Sequence, residues 1–476
     1  MPDAVVVGSG PNGLAAAITL ARAGRSVLVV EAMEAVGGGM RSAELTEPGF
    51  VHDVCSAIHP TAISSPFLGD LPLAEHGLAF VQPPAPLAHP FDDGTAVMLE
   101  RSVEETAAGL GADGDRYRRV FAPLVRDEGR LMPFLLGSRP LPRHPIAAAR
   151  FGLLGLRSGV GLTRRFREPR AKALFAGLAA HSIQSLRRSP TASFGLVLGL
   201  LGHAYGWPLA RGGSQAIADA MASYLRSLGG EIETGRRVES INELPQATAT
   251  LLDLTPRQVI RIAGHLLPNR YLRALRRYRY GPGVFKVDWA LDGPVPWHAE
   301  ECARAATVHI GPTIEEIVES EDAVWQDRVS DRPYVLLVQP SLFDPTRAPE
   351  GKHTLWAYCH VPHGSPLDMT DAIERQIERF APGFRDRIIA RGTRNALEME
   401  AYNPNYVGGD INGGVQDLLQ LYTRPAIRLN PYSTPVDGLY ICSASTPPGG
   451  GVHGMCGYLA AKAALSAQGA RDVAGA

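Results

Sequence analysis

Residues 4–31 constrain this chain more than any other stretch, because their pattern is that of a strand, a tight turn, a helix and a second strand in immediate succession. Ala4-Val5-Val6-Val7 is a short apolar β-branched run. It leads into Gly8-Ser9-Gly10-Pro11-Asn12-Gly13 and then an Ala- and Leu-rich helical pattern from Leu14 to Ala23. Gly8 is free to take turn dihedrals that a Cβ forbids, Gly10 lets the backbone approach a diphosphate, and Gly13 allows helix and strand to pack closely. The helix start at Pro11 and Asn12 then turns its N–H groups towards the phosphates. The second strand, Ser26-Val27-Leu28-Val29-Val30, ends at Glu31, whose carboxylate is placed for adenosine ribose hydroxyls and disfavours a 2′-phosphate. The unit therefore predicts a dinucleotide site of the non-NADP type.

The chain's 476 residues, 45% of them hydrophobic, supply more core than one ordinary domain needs, so two interleaved domains are expected. A net charge of −1 gives no global field for nucleic acid, and no zinc-like or RNA-binding motif is present. Charge is uneven, however: residues 121–190 hold thirteen Lys or Arg against Asp127, Glu128 and Glu168, beside the apolar runs 134–136 and 151–156. Basic and apolar together make this segment a candidate surface for anionic lipid or for a second copy of the chain; a solvated helical face is the alternative. The five cysteines show no Cys-x-x-Cys or Cys-x4-Cys pair, which argues against a disulfide framework or dithiol relay. The first strand starts at residue 4 and no run of about 18 apolar residues occurs, so the expected location is cytoplasmic, with peripheral membrane association open.

After Glu31 the loop Gly37-Gly38-Gly39-Met40-Arg41-Ser42 returns towards the cofactor, and Arg41 is a candidate diphosphate clamp or else a surface arginine. Residues 67–204 read as a Pro-punctuated helical insertion, with helices over Val103–Leu110, Tyr117–Phe121 and Ala171–Leu186. Helix 215–228, strand pieces 231–234 and 237–241, and an edge strand within 248–254 resume the nucleotide domain. Residues 281–292 alternate as a strand, Val284, Lys286 and Asp288 on one face and Phe285, Val287 and Trp289 on the other. Further strands are expected at 334–338 and 354–358, a helix at 369–380, a last strand at 438–442 and a last helix at 458–465.

Three motifs carry a family resemblance: Asp53-Val54-Cys55-Ser56-Ala57-Ile58-His59-Pro60, Gly281-Pro282-Gly283-Val284-Phe285-Lys286-Val287-Asp288-Trp289 and Pro447-Pro448-Gly449-Gly450-Gly451-Val452-His453-Gly454. With them the whole chain resembles the phytoene desaturase and carotenoid isomerase superfamily of FAD-dependent oxidoreductases. Within it, the chain is similar to the branch of pyridine nucleotide-disulfide oxidoreductase domain-containing protein 2. The resemblance implies an α/β fold: a glutathione-reductase-like (Rossmann) FAD domain over 1–66, 205–292 and 428–476, interleaved with an α+β mixed-sheet substrate or lid domain over 67–204 and 293–427 that includes the helical insertion. It also implies FAD contacts from Gly8, Gly10, Pro11, Asn12, Gly13, Glu31, Gly38, Arg41, Ser42, Val238, Ser443, Gly451, Val452 and His453. No second dinucleotide fingerprint or Cys-x4-Cys pair accompanies these, so disulfide reduction by a pyridine nucleotide is not supported.

Amides and the positive helix end at 451–454 suit negative charge on a reduced flavin. Three titratable residues in the motifs are catalytic candidates. His453 would contact the flavin or pack at a helix start, Lys286 would act on substrate or only pair with Asp288, and His59 would face the flavin or serve the turn before Pro60. No metal site is expected. The reading is an FAD-dependent dehydrogenase, desaturase or double-bond isomerase acting on C–C bonds of a largely apolar, isoprenoid or acyl, substrate, with oxygen or a quinone as electron acceptor. The alternatives are an amine-oxidase-like enzyme acting on C–N bonds, with Tyr402, Tyr406, Tyr422 and Tyr432 as candidate cage rings, and a non-catalytic FAD-containing assembly protein.

Overall fold

The computed structural model describes residues 1–137 and 142–474; Arg139 of the basic segment lies outside the described residues. Two sheets organise the chain. The first is parallel, its strands standing in the order Leu439–Ile441, Ala249–Leu252, Ala4–Val7, Val27–Val30 and Glu231–Glu233. Alternation along Ala4–Val7 explains its two covered faces: Ala4 and Val6 join the core under the Pro11–Arg22 and Gln215–Ser227 helices. Val5 and Val7 join a separate cluster with Val259, Ile262 and Leu275, from the helices Pro256–Ala263 and Asn269–Arg276.

The second sheet is mixed and runs Ile388–Arg394, Gly283–Leu291, His353–Val361, Val335–Val338, Ala305–Ile310, Ala85–Pro90 and Ala96–Leu99. Ala305–Ile310 pairs parallel with Ala85–Pro90 and the other neighbours are antiparallel. Phe285, Val287, Trp289, Leu355, Ala357 and Cys359 bury one face against the Thr370–Phe380 helix through Ile373, Ile377 and Phe380. The opposite face carries Thr307, Leu336, Val338, Trp356 and Tyr358. Pairing register sets them in rows, Thr307 across from Val338 and Val338 across from Trp356.

Several expectations are corrected. The 67–204 segment is not purely helical, since Ala85–Pro90 and Ala96–Leu99 enter the second sheet. Pro86 and Pro90 disguise the first of these strands, because proline reads as a strand breaker. Gly283–Leu291, by contrast, is the strand expected over 281–292 and is hydrogen-bonded into the second sheet. Ala249–Leu252 is an interior strand, because Leu439–Ile441 covers its outer edge. The helix expected to Leu186 stops at Ala180, and Ile183 takes φ 49°, which no helix continues through. No strand forms over 237–241. The last helix begins at Met455, three residues before the expected start.

Candidate functional site

Every strand of the parallel sheet that ends centrally delivers one residue to the same crevice. Gly8 follows Ala4–Val7, Glu31 follows Val27–Val30, Asp253 follows Ala249–Leu252, and Ser443 lies just past Leu439–Ile441. A doubly wound sheet places its ligand at this carboxyl edge. The crevice opens into a cavity of about 410 Å³ that runs from the glycine turn to the exposed-face residues of the mixed sheet.

At the nucleotide end, Gly8 has φ 99°, and a Cβ on Gly13 would lie 2.0 Å from the Gly8 carbonyl oxygen, so Gly13 serves helix–turn packing and does not line the cavity. Glu31 is buried and its oxygens accept from Ser9 N (2.8 Å), Ser9 Oγ (2.6 Å), Met33 N (2.9 Å) and Arg41 Nη2 (3.1 Å). Arg41 is thus no surface arginine. Its Nε donates to Ala35 O at 3.0 Å, and its buried Nη1 has no protein partner. Asn12 Oδ1 is likewise buried and unpartnered. Beside the glycine cradle, the orphaned Arg41 Nη1 is a donor that a diphosphate would satisfy and Asn12 Oδ1 an acceptor that a ligand hydroxyl would satisfy, and the residues fit FAD. Gly10, Pro11, Gly38, Val238, Gly451 and Val452 complete the expected contacts that line the cavity.

Ser42 does not line it. Its hydroxyl donates to Asp53 Oδ1 at 2.7 Å and accepts from Gln215 N at 3.1 Å, within a buried knot where Arg347 Nη2 also donates to Asp53 Oδ2 at 2.7 Å. The three catalytic candidates are also set back from the wall. His59 Nε2 bonds Ser214 Oγ at 2.8 Å, and burial pushes its pKa down to about 4. His453 Nδ1 accepts the Met455 N–H at 3.0 Å, which makes it the cap of the last helix, and burial brings its pKa to about 4. Lys286 shares the cavity-side sheet face with Tyr358, its neighbour in register. It pairs with Asp288 and lies 5.5 Å from the Trp356 ring centre, one side chain behind the wall. Burial lowers the Lys286 pKa and raises that of Asp288.

The inner wall is made instead by residues that the sequence did not single out for the site: Cys55, Ile58, His181, Leu198, Trp207, Thr307, Leu336, Val338, Trp356, Tyr358 and Ile411. His181 Nε2 lies 3.0 Å from His309 Nε2, and burial pushes the His181 pKa down to about 3. Of the four candidate tyrosines, Tyr402 and Tyr406 line the cavity. Tyr422 is 77% exposed, and Tyr432 donates to Pro447 O at 3.1 Å away from the wall. Strand alternation was the signal available for Thr307, Trp356 and Tyr358; Asp253 was missed because its strand was expected at the sheet edge.

A family model described as flavin containing amine oxidoreductase matches residues 12–464. The chain is 25% identical to pyridine nucleotide-disulfide oxidoreductase domain-containing protein 2 of Mus musculus, over 96% of this chain and 92% of that protein. It is 27% identical to the neurosporene-forming phytoene desaturase of Rhodobacter capsulatus, again over 96% and 92%. Among solved structures, an oxidoreductase from Methanosarcina mazei superposes with a TM-score of 0.65 at 16% identity, covering 97% of this chain and 99% of that one.

Proposed function

This chain belongs to the family of flavin containing amine oxidoreductases, and on that premise we propose that it dehydrogenates or isomerises carbon–carbon bonds in a largely apolar, isoprenoid- or acyl-like molecule. It is an FAD-dependent oxidoreductase. When bound, FAD supplies the two-electron acceptor. The glycine turn and the Met455–Ala474 helix start bind and orient it, and Arg41 offers its free Nη1 to an anion.

One observation supports the carbon–carbon reading above all. Among the described residues, the only acids in the cavity wall are Glu31 and Asp253, both at the nucleotide end. An ammonium group entering the inner half would lose its water and meet no counter-charge, which is unfavourable by several kcal/mol. Ile58, Leu198, Trp207, Leu336, Val338 and Ile411 instead exclude water around a hydrocarbon chain. One relative is a phytoene desaturase, which agrees with such a substrate. A C–N reading rests on the Trp356 and Tyr358 rings, whose centres are 5.3 Å apart at 68° on that wall.

Oxygen or a quinone is the proposed electron acceptor. Among the described residues no helix is long and apolar enough to cross a membrane. Ile146 (77% exposed) and Leu153 (73% exposed) stand on the Pro145–Gly155 helix, Arg157 Nε donates to Leu153 O at 3.3 Å, and Arg157 shares a surface hollow with Arg164 and Arg165; we propose this patch as the contact with an anionic lipid surface. The deciding experiment is anaerobic mixing of holoprotein with polyenes and long-chain acyl compounds in one series and with primary amines in another. Loss of flavin absorbance is expected in the first series for dehydrogenation, or a shifted polyene spectrum without it for isomerisation, and bleaching by amines alone would refute the proposal.

A further inference from the structure

One buried acid stands inside the cradle that the cofactor's diphosphate needs. Asp253 Oδ2 accepts the Gly13 N–H at 2.9 Å and draws on the Gly10 amide as well. So closely does it cover the turn that a Cβ on Gly10 would lie 2.7 Å from Oδ2. The rest of the residue is fixed: its N–H donates to Val7 O at 2.8 Å, and its carbonyl accepts from Asn405 Nδ2 at 3.0 Å. Gly10 lines the cavity at this turn, at the start of the Pro11–Arg22 helix, where a dinucleotide fold offers its amides to a diphosphate.

The groups facing Asp253 do not neutralise it. Glu31, at the end of Val27–Val30, adds a like charge. Cys442, after Leu439–Ile441, and Cys456, on the last helix, are thiols that burial holds protonated. The Gly8–Gly13 turn itself contributes only amides and the Ser9 and Asn12 side chains. Arg41 directs its Nη2 to Glu31.

We infer that Asp253 is a cofactor-binding residue that accommodates FAD as the neutral acid, so that FAD is taken up together with one proton on this carboxyl. This rests on the FAD reading of the crevice and adds to it a proton stoichiometry. A doubly charged diphosphate, Glu31 and an ionised Asp253 cannot share one desolvated turn, because like charges at such range force one group to protonate. Burial has already pushed the Asp253 pKa up to about 7, Glu31 assisting and the Gly13 amide opposing, so the proton is available near neutrality. The family's glycine turn alone does not require this. It follows from the side chain that this chain places after its central strand.

Holoprotein equilibrated from about pH 6 to about pH 9, with free FAD measured by fluorescence after ultrafiltration, tests the inference. Above about pH 7 the FAD Kd is expected to rise by about tenfold per pH unit. Asp253→Asn, which keeps an acceptor for the Gly13 N–H, is expected to hold FAD with a Kd that does not change over the same range. A second readout needs no variant: FAD released from wild-type holoprotein in weak buffer near pH 8 should free about one proton per flavin. A flat wild-type profile, or an Asn variant with the wild-type slope, overturns the inference and leaves the FAD reading standing. Folded protein that retains no FAD at any pH overturns the FAD reading itself.

Discussion

Gly457→Ala tests how the two ends of the chain are joined. Gly457 lies in the Met455–Ala474 helix, where alanine would ordinarily stabilise by about 1 kcal/mol. Here a Cβ would sit 1.7 Å from the Asn12 carbonyl oxygen and 2.9 Å from Ala16 N, both backbone atoms of the Pro11–Arg22 helix. An ordinary carbon–oxygen contact is about 3.3 Å, so the helices must part by roughly 1.6 Å. A gap of that size removes more than half of the dispersion energy along the seam, where Ala15, Ala16, Ala460, Ala461 and Ala464 are all fully buried. Overpacking costs about 1–3 kcal/mol and backbone atoms cannot rotate away, so a net loss of about 2 kcal/mol is expected after the propensity gain. Asn12 also moves, so FAD affinity should fall with stability. Gly469→Ala is the control on the same helix, since nothing lies within 4 Å of its Cβ, and it should be neutral or stabilising. Urea unfolding of both variants, with FAD retention measured alongside, decides the matter. A Gly457→Ala protein as stable as the control would refute the close-packing argument.

Removal of Arg347 strands Asp53, since both side chains have no exposed surface and pair at 2.7 Å; Arg347→Met should cost about 3–5 kcal/mol in urea unfolding. Burial opposes ionisation of Asp53, but Arg347 and the Ser214 N–H outweigh it and hold its pKa down, so its contribution is present above about pH 4 and is lost as pH falls below that. Buried histidines act over a higher window. His59, His89, His203 and His453 have pKa values lowered to about 4, and His52 and His181 to about 3, in each case chiefly by burial. The unfolded chain takes up these protons below about pH 6.5 and the native one does not, so each site lowers stability by up to about 1.4 kcal/mol per pH unit from there down to its folded pKa. A urea midpoint that stays flat between about pH 7 and about pH 5 would contradict this. His453→Ala should lose about 1–2 kcal/mol through the missing cap, with His453→Asn restoring part of it and turnover keeping its neutral-range pH profile. Ile146→Glu with Leu153→Glu should weaken co-sedimentation with anionic vesicles and leave flavin content unchanged.

The parts of the fold that the sequence made legible are those in which local chemistry and tertiary position agree. Ala4–Val7, the glycine turn and Glu31 satisfy one another within thirty residues, and their order in the chain is their order in space. The inner wall obeys a different rule. Thr307, Val338 and Trp356 are neighbours only because three strands from distant segments fall into register, and in each strand the wall residue is simply the polar or apolar alternate of a core residue. Pattern therefore identified that Lys286 and Phe285 face opposite ways, but not that Cys55 and Trp356 would stand between Lys286 and the cavity. His59 and His453 misled for a related reason. A histidine in a glycine- or proline-rich motif is chemically equipped for proton transfer, yet the same ring nitrogens satisfy Ser214 and the Met455 amide, and both rings are buried, where the neutral form is favoured. Asp253 is the converse case. The sequence put its strand at the sheet edge, and only the covering strand Leu439–Ile441 makes that strand interior and brings the acid into the crevice. A buried carboxyl in a binding cradle without a counter-ion is itself informative, because the ligand's own charge then decides its protonation.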